Sequence, residues 1–326
     1  MQFLVNKQPA AVNPAAGQPF GQKTAERLAT RYDYILVQTH DARRYALRPN
    51  LRSQAGFSTN DLGLRSQELP DNNMTKRPVS VAFLGDSVVM GSKVESNADL
   101  FSEQIKKASD MPLLTLNGGC SCYNAQQMLG QLNFMLRHHV PDVAFLHCTV
   151  NEVTLGAQLG EDWKEGLSWS ALFGFDDNGR PAARPVLNQT QPVPARAIQS
   201  LYKNLLLCVS CCLQQGVQPL LVTAPRLLGP NCSNEYLRAA AQCGHDLPVN
   251  ISKEKYLGAS LDLANACLKK LSNNINVPLV DLAGQIDSLP YKEKLFLDYF
   301  HFNPLGHRLV ANLFAKHLKI VLPDAD

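Results

Sequence analysis

At 326 residues, with 45% hydrophobic side chains and a formal net charge of +3, the chain can bury one large core of about 250 residues and still carry an extension. The charge is small for this length and the basic side chains are scattered, which argues against nucleic acid or an anionic membrane surface as a partner. No apolar run approaches a membrane span, residues 1–7 do not read as a secretion signal, and Cys208, Cys211 and Cys212 fall in a helix-like run, so a cytoplasmic, reducing location is expected. Asn-x-Ser/Thr triplets at Asn73, Asn188, Asn231 and Asn250 pull toward glycosylation instead.

Residues 1–25 carry Pro9, Pro14 and Pro19 with little periodicity and read as a draped arm. A strand is expected over 32–39, followed by a polar, turn-rich segment with too few apolar residues for a core of its own. Residues 1–77 are therefore an arm and wrapping segment, and 78–326 the main domain. That domain opens with Val79-Ser80-Val81-Ala82-Phe83-Leu84-Gly85-Asp86-Ser87, a short apolar run between Pro78 and Gly85, which suits a strand buried on both faces. Helical spacing follows over 98–108, then strand 113–116 leading into Gly118 and Gly119. Next come a helix with Ala125, Met128, Leu129, Leu132, Met135 and Leu136 on one face, and strand 143–148.

The alternation pauses over about 160–195, which contains Trp163, Trp169, Phe173 and Phe175. This insertion reads as a lid beside Asn151 or as an excursion packing its own aromatic cluster. Helix 197–215 and strand 219–223 resume the pattern. A second insertion at about 230–250, helix-like over 235–243, precedes helix 256–271, strand 277–282 and a closing helix over 304–318. Strands alternating with helices imply right-handed crossovers and an α/β fold: a three-layer α/β/α sandwich with a central parallel sheet of flavodoxin-like order 2-1-3-4-5.

In such sheets ligands gather at the carboxyl ends of strands, where Ser87 lies. A serine hydroxyl is a weak nucleophile at neutral pH and needs a base held by a third group. Asp298-Tyr299-Phe300-His301 offers both, a carboxylate three residues before an imidazole. Asp281 is a rival carboxylate but reads as a helix cap at a strand end. His138 and His139 read as a helix terminus, His147 as a satisfied core histidine, and His307 as part of the closing helix. The cysteines lack zinc-like spacing, so neither metal nor cofactor is expected.

Gly85-Asp86-Ser87, Asn117-Gly118-Gly119, Thr149-Val150-Asn151-Glu152 and Asp298-x-x-His301, in that order, resemble the blocks of the SGNH (GDSL-type) hydrolases. The likeness covers roughly 45–320, including lead-in segments 46–50 and 59–65 that are similar to bacterial members. It implies Ser87 as nucleophile, the N–H groups of Ser87 and Gly119 and the amide of Asn151 as oxyanion donors, and His301 as base, oriented by Asp298. Two departures stand out: Thr149 and Glu152 replace the family's Gly and Asp around Asn151, and Cys122 occupies the place, three residues after Gly119, where related members often carry a second glycine. The implied activity is that of a serine esterase acting through an acyl-serine on a small-molecule or carbohydrate ester, such as an O-acetyl group. The alternatives are an O-acyltransferase using the same site and a non-catalytic carbohydrate-binding member of the fold.

Overall fold

A computed structural model describes residues 36–39, 41–67, 69, 77–165, 193–229, 233–245 and 257–322. The expected arm over 1–25, Trp169, Phe173, Phe175 and the asparagines of all four Asn-x-Ser/Thr triplets lie outside the described residues, as do most of the first insertion and much of the second. Strands β1 (Leu36–Gln38) and β2 (Tyr45–Leu47) pair antiparallel as a ribbon of their own. β3 (Val79–Gly85), β4 (Leu113–Asn117), β5 (Val143–His147), β6 (Gln218–Val222) and β7 (Leu279–Val280) form an all-parallel sheet in the order β4-β3-β5-β6-β7. Counted from β3, that is the expected order 2-1-3-4-5.

β3 runs through the middle of the molecule. Val81, Ala82, Phe83 and Leu84 are each at most 1% exposed, as a parallel strand covered on both faces requires. Between the strands lie helices α1 (Ser87–Met90), α2 (Phe101–Ala108), α3 (Ala125–His138), α4 (Val150–Leu159), α5 (Ala195–Gln214), α6 (Asn234–Gln242) and α7 (Ala259–Ile275), and after the last strand come α8 (Leu282–Asp287) and α9 (Pro304–Val321). α2 packs with α9, while α5 packs with α3, α4 and α7, which makes the two outer layers. Where α2 and α9 meet the sheet, Phe83, Phe101, Phe145 and Phe314 interlock, with Phe145 and Phe314 centroids 4.5 Å apart and Phe83 and Phe101 5.3 Å apart. Truncating one such ring would cost about 3–5 kcal/mol through lost burial and the cavity left behind. Residues 36–326 form one compact unit.

Several elements differ from expectation. The strand expected over 277–282 is only two residues long, because the Asp281 side chain accepts the Gly284 N–H and starts α8. That confirms Asp281 as a cap, and its carboxylate also takes bonds from Thr223 and Lys269. α2 begins at Phe101, three residues late, since Leu100 is extended and Asn97–Asp99 forms a separate 3-10 turn. α7 starts after residue 256 and runs on to Ile275, where Asn276 turns left-handed at φ 51°. α4 was not foreseen; it begins directly after β5 and carries Asn151 and Glu152.

Among the side chains that tie residues 41–67 to the sheet, Arg65 makes the most bonds. Arg65 is 1% exposed. Its guanidinium donates to the carbonyls of Met90 (2.9 Å), Gly91 (2.8 Å), Val94 (2.7 Å) and Glu95 (3.1 Å) and to Asn97 Oδ1 (2.7 Å). Burial lowers its pKa to about 9, which leaves it charged at neutral pH. A buried cation is tolerable only when its donors are all met, and here the acceptors all belong to the end of α1 and the segment that follows it.

Candidate active site

β3 ends where a side chain could not: a Cβ on Gly85 would lie 1.9 Å from the His147 carbonyl oxygen and 2.5 Å from Val89 Cγ2. Asp86 then caps α1, its Oδ1 accepting the Val88 N–H at 2.9 Å, so the helix starts with Ser87 facing out of the sheet edge. From the other end of the chain, residues 295–303 fold back as a tight turn. Leu297 N–H donates to the His301 carbonyl (2.7 Å), Asn303 N–H to that of Leu295 (3.0 Å), and the Phe296 and Phe302 rings pack 4.9 Å apart. Asn303 ties this turn to α9 by accepting the Gly306 N–H at 3.0 Å.

The turn brings His301 Nε2 to 2.8 Å from Ser87 Oγ. Nδ1 of the ring lies 2.8 and 2.9 Å from the two Asp298 oxygens. A carboxylate only accepts, so Nδ1 carries the proton and Nε2 is left to accept from the serine hydroxyl. Asp298 Oδ1 also accepts the backbone N–H groups of Phe300 (3.0 Å) and His301 (2.9 Å), and Oδ2 pairs with the Lys93 ammonium. Burial pushes against ionisation of Asp298, but the His301 and Lys93 contacts outweigh it and hold the carboxyl far below the usual carboxylate range.

The expected oxyanion donors fare differently. Asn151, on the first turn of α4, donates through Nδ2 to the Tyr123 carbonyl at 2.9 Å; its second amide hydrogen has no acceptor among the described residues. The Ser87 N–H likewise has none. Gly119, however, is engaged: its N–H donates to Asn117 Oδ1 at 3.0 Å, a short-range turn bond, which corrects its expected role. Its lack of a side chain has a packing reason, since a Cβ there would lie 2.2 Å from the Met90 nitrogen in α1. The open backbone donor is three residues on. Tyr123 N–H closes a turn onto the Cys120 carbonyl at 3.3 Å, Cys122 occupies its left-handed position at φ 62°, and the Cys122 N–H has no acceptor among the described residues. The sequence held the signal, since Cys122 stands where relatives place a second glycine. Burial, then the neighbouring Asp86 charge, raises the Cys122 thiol to about 12, so the sulfur is not a thiolate nucleophile.

Glu152 follows Asn151 and is 2% exposed. Its Oε2 accepts the Ala125 N–H at 3.4 Å, yet burial raises its pKa from 4.5 to about 7. Below 4.5 folded and unfolded chains both hold the proton; as pH rises the unfolded chain loses it first, so stability falls until the folded group ionises. Glu152→Gln should therefore stabilise the fold by up to about 3 kcal/mol at pH 8 and leave it unchanged near pH 4. Urea denaturation at the two pH values checks this, and an equal change at both would contradict it.

His307 accepts the Phe101 N–H at 3.2 Å through Nδ1 and is driven down to about 3 by burial, with the Arg65 and His301 charges adding to it, so it is a neutral tie between α2 and α9. His147 is buried as expected but not satisfied: neither ring nitrogen has a partner among the described residues. Trp163 packs on Leu155 and Ala197, a local cluster within the described edge of the first insertion. Among the described residues no group of three or more His, Cys, Asp or Glu side chains could hold a metal ion.

A five-stranded parallel sheet of order 2-1-3-4-5, with a serine at the end of its first strand and an Asp-x-x-His turn ahead of the last helix, has the fold of the SGNH (GDSL-type) hydrolases. The chain is similar to an acetylxylan esterase from Geobacillus stearothermophilus, solved as a catalytic mutant, with TM-score 0.50 and 13% identity over 75% of this chain and 96% of that one. It is also similar to a member of the lipolytic protein G-D-S-L family from Veillonella parvula (TM-score 0.47, 14% identity, 75% and 98% covered). A lipase/acylhydrolase from Enterococcus faecalis is a further such structure (TM-score 0.47, 15% identity, 74% and 96% covered). At these identities the likeness concerns the fold. No protein-family model matches the chain, and no curated protein matches it in sequence.

Proposed function

We propose that the protein is a serine esterase that cleaves an ester through an acyl-serine. The observation that carries this reading is the unbroken chain Ser87 Oγ, His301, Asp298, each link at 2.8–2.9 Å. His301 Nε2 takes the hydroxyl proton as Ser87 Oγ attacks the ester carbonyl. The oxyanion is met by the N–H groups of Ser87 and Cys122 and by the free amide hydrogen of Asn151. Donors aimed at charge that develops only in the transition state speed the step without tightening ground-state binding. Protonated His301 then passes its proton to the leaving alcohol, the acyl group stays on Ser87, and water activated by the same imidazole releases it.

We extend the reading to short acyl groups, with an O-acetyl on carbohydrate as the favoured class; the lead-in resemblance and the acetylxylan esterase of like fold support it. The test combines a serine-directed fluorophosphonate with p-nitrophenyl esters of rising chain length. Stoichiometric labelling of Ser87 and fastest turnover of the acetate are expected. A folded protein that takes no label would overturn the esterase reading, whereas acyl transfer to an added sugar in preference to water would identify a transferase.

A further inference from the structure

We propose that Lys93 is a positioning residue of this triad: its ammonium tempers the Asp298 carboxylate that supports His301, so the loop after α1 sets the pH range in which Ser87 can be activated. The consequence for turnover rests on the esterase reading, but the charge contact itself does not.

Three observations carry it. First, the contact is built. Lys93 and Asp298 are 205 positions apart. Lys93 holds a left-handed backbone at φ 70°, a conformation few residues other than glycine adopt. The carbonyls on both sides of it, of Met90, Gly91, Val94 and Glu95, are pinned by Arg65. Second, Asp298 needs no further donor for its orientation. Two backbone N–H groups and the imidazole already fix it at 2.8–3.0 Å, so what Lys93 adds is positive charge. Third, the pair is open to solvent, the two side chains being 51% and 31% exposed, and such pairs contribute little to stability. Lys93 can therefore be changed without unfolding the protein.

The sign follows from the charges around the ring. Facing His301 are Ser87 on α1, Asp298 on its own turn with Lys93 behind it, the buried Asp86 below, and His307 on α9. His307 is neutral, and Arg65 lies beyond it. Asp298 and Asp86 set negative charge beside the ring and Lys93 sets positive charge on the loop side, so removing Lys93 leaves the ring in a more negative field.

The experiment is an NMR titration of the His301 ring, alongside the pH profile of kcat/KM, in the wild type, Lys93→Gln, Lys93→Gly and Lys93→Arg. Glycine suits φ 70° and so removes the charge without disturbing the loop. The expected result is an upward shift of the midpoint by about 0.5 to 1 pH unit in Lys93→Gln and Lys93→Gly, a three- to ten-fold change in proton affinity, with Lys93→Arg resembling the wild type. Salt at about 1 M should narrow the gap between the wild type and the neutral variants. An unmoved midpoint in both neutral variants overturns the proposal, and so does a fall in kcat without a shift, which would make Lys93 a geometric brace only. A shifted midpoint in a protein that hydrolyses no ester would uphold the charge contact while the esterase reading fails.

Discussion

Ser87→Ala is expected to lower hydrolysis of p-nitrophenyl acetate by about 10³-fold or more, and up to about 10⁶-fold if the proposed acyl-serine is the sole route, the scale seen when a serine nucleophile is removed from a triad. The fold survives the change. The one side-chain bond lost is that to His301 Nε2 at 2.8 Å, at the half-buried mouth of the site, and a single such bond is worth about 1 kcal/mol. Asp86 still caps α1, and Gly85 still packs under His147. Turnover assays paired with thermal melting separate the two effects. Retention of more than a few per cent of the wild-type rate in a folded variant means that a different group attacks the ester.

Asn151→Ala is expected to lower kcat by about 10²- to 10³-fold with KM nearly unchanged, the scale of losing one oxyanion donor. Its structural cost is contained: the Tyr123 carbonyl loses the amide at 2.9 Å but keeps the Cys148 thiol at 3.3 Å. Because Tyr123 adjoins Cys122, the bond from Asn151 also steadies the turn that presents the Cys122 N–H, so the loss should fall toward the upper end of that range. A rise in KM with kcat preserved would mean that Asn151 binds the substrate in its ground state.

Much of the site was legible because its parts are local. A buried strand that stops at Gly-Asp-Ser, and a carboxylate three residues before a histidine, are each readable within a few residues, and the strand–helix rhythm led to the observed sheet order. The departures have physical causes. Gly119 looked like a donor because glycine lets the backbone approach a ligand, yet here it lets the backbone approach Met90. Cys122 hid the donor because a cysteine does not itself announce a left-handed turn position; only its place, three residues after Gly119, pointed to it. His147 read as satisfied because most buried polar groups are. Arg65 and Lys93 were out of reach altogether: the first acts on carbonyls 25–30 positions away, the second on a carboxylate 205 positions away, and neither spacing has a pattern. β7 shrank because one cap, Asp281, outweighed the β-branched residues before it.

The turn at 295–303 has a consequence for when the site comes into being. Ser87 and its base are 214 positions apart, Lys93 and Asp298 205, and Phe101 and His307 206, so each tie that completes the site closes a loop of most of the domain. During synthesis the sheet from β3 through β6 can form while the residues after β6 are still being made, and Ser87 then stands with no imidazole beside it. Chains fold from their N-terminal side as they emerge, and contacts of such long range form late. The proposed activity should therefore arrive in a single late event, the docking of α9 against α2. A nascent chain halted before residue 295 would present a folded sheet edge that cannot activate Ser87.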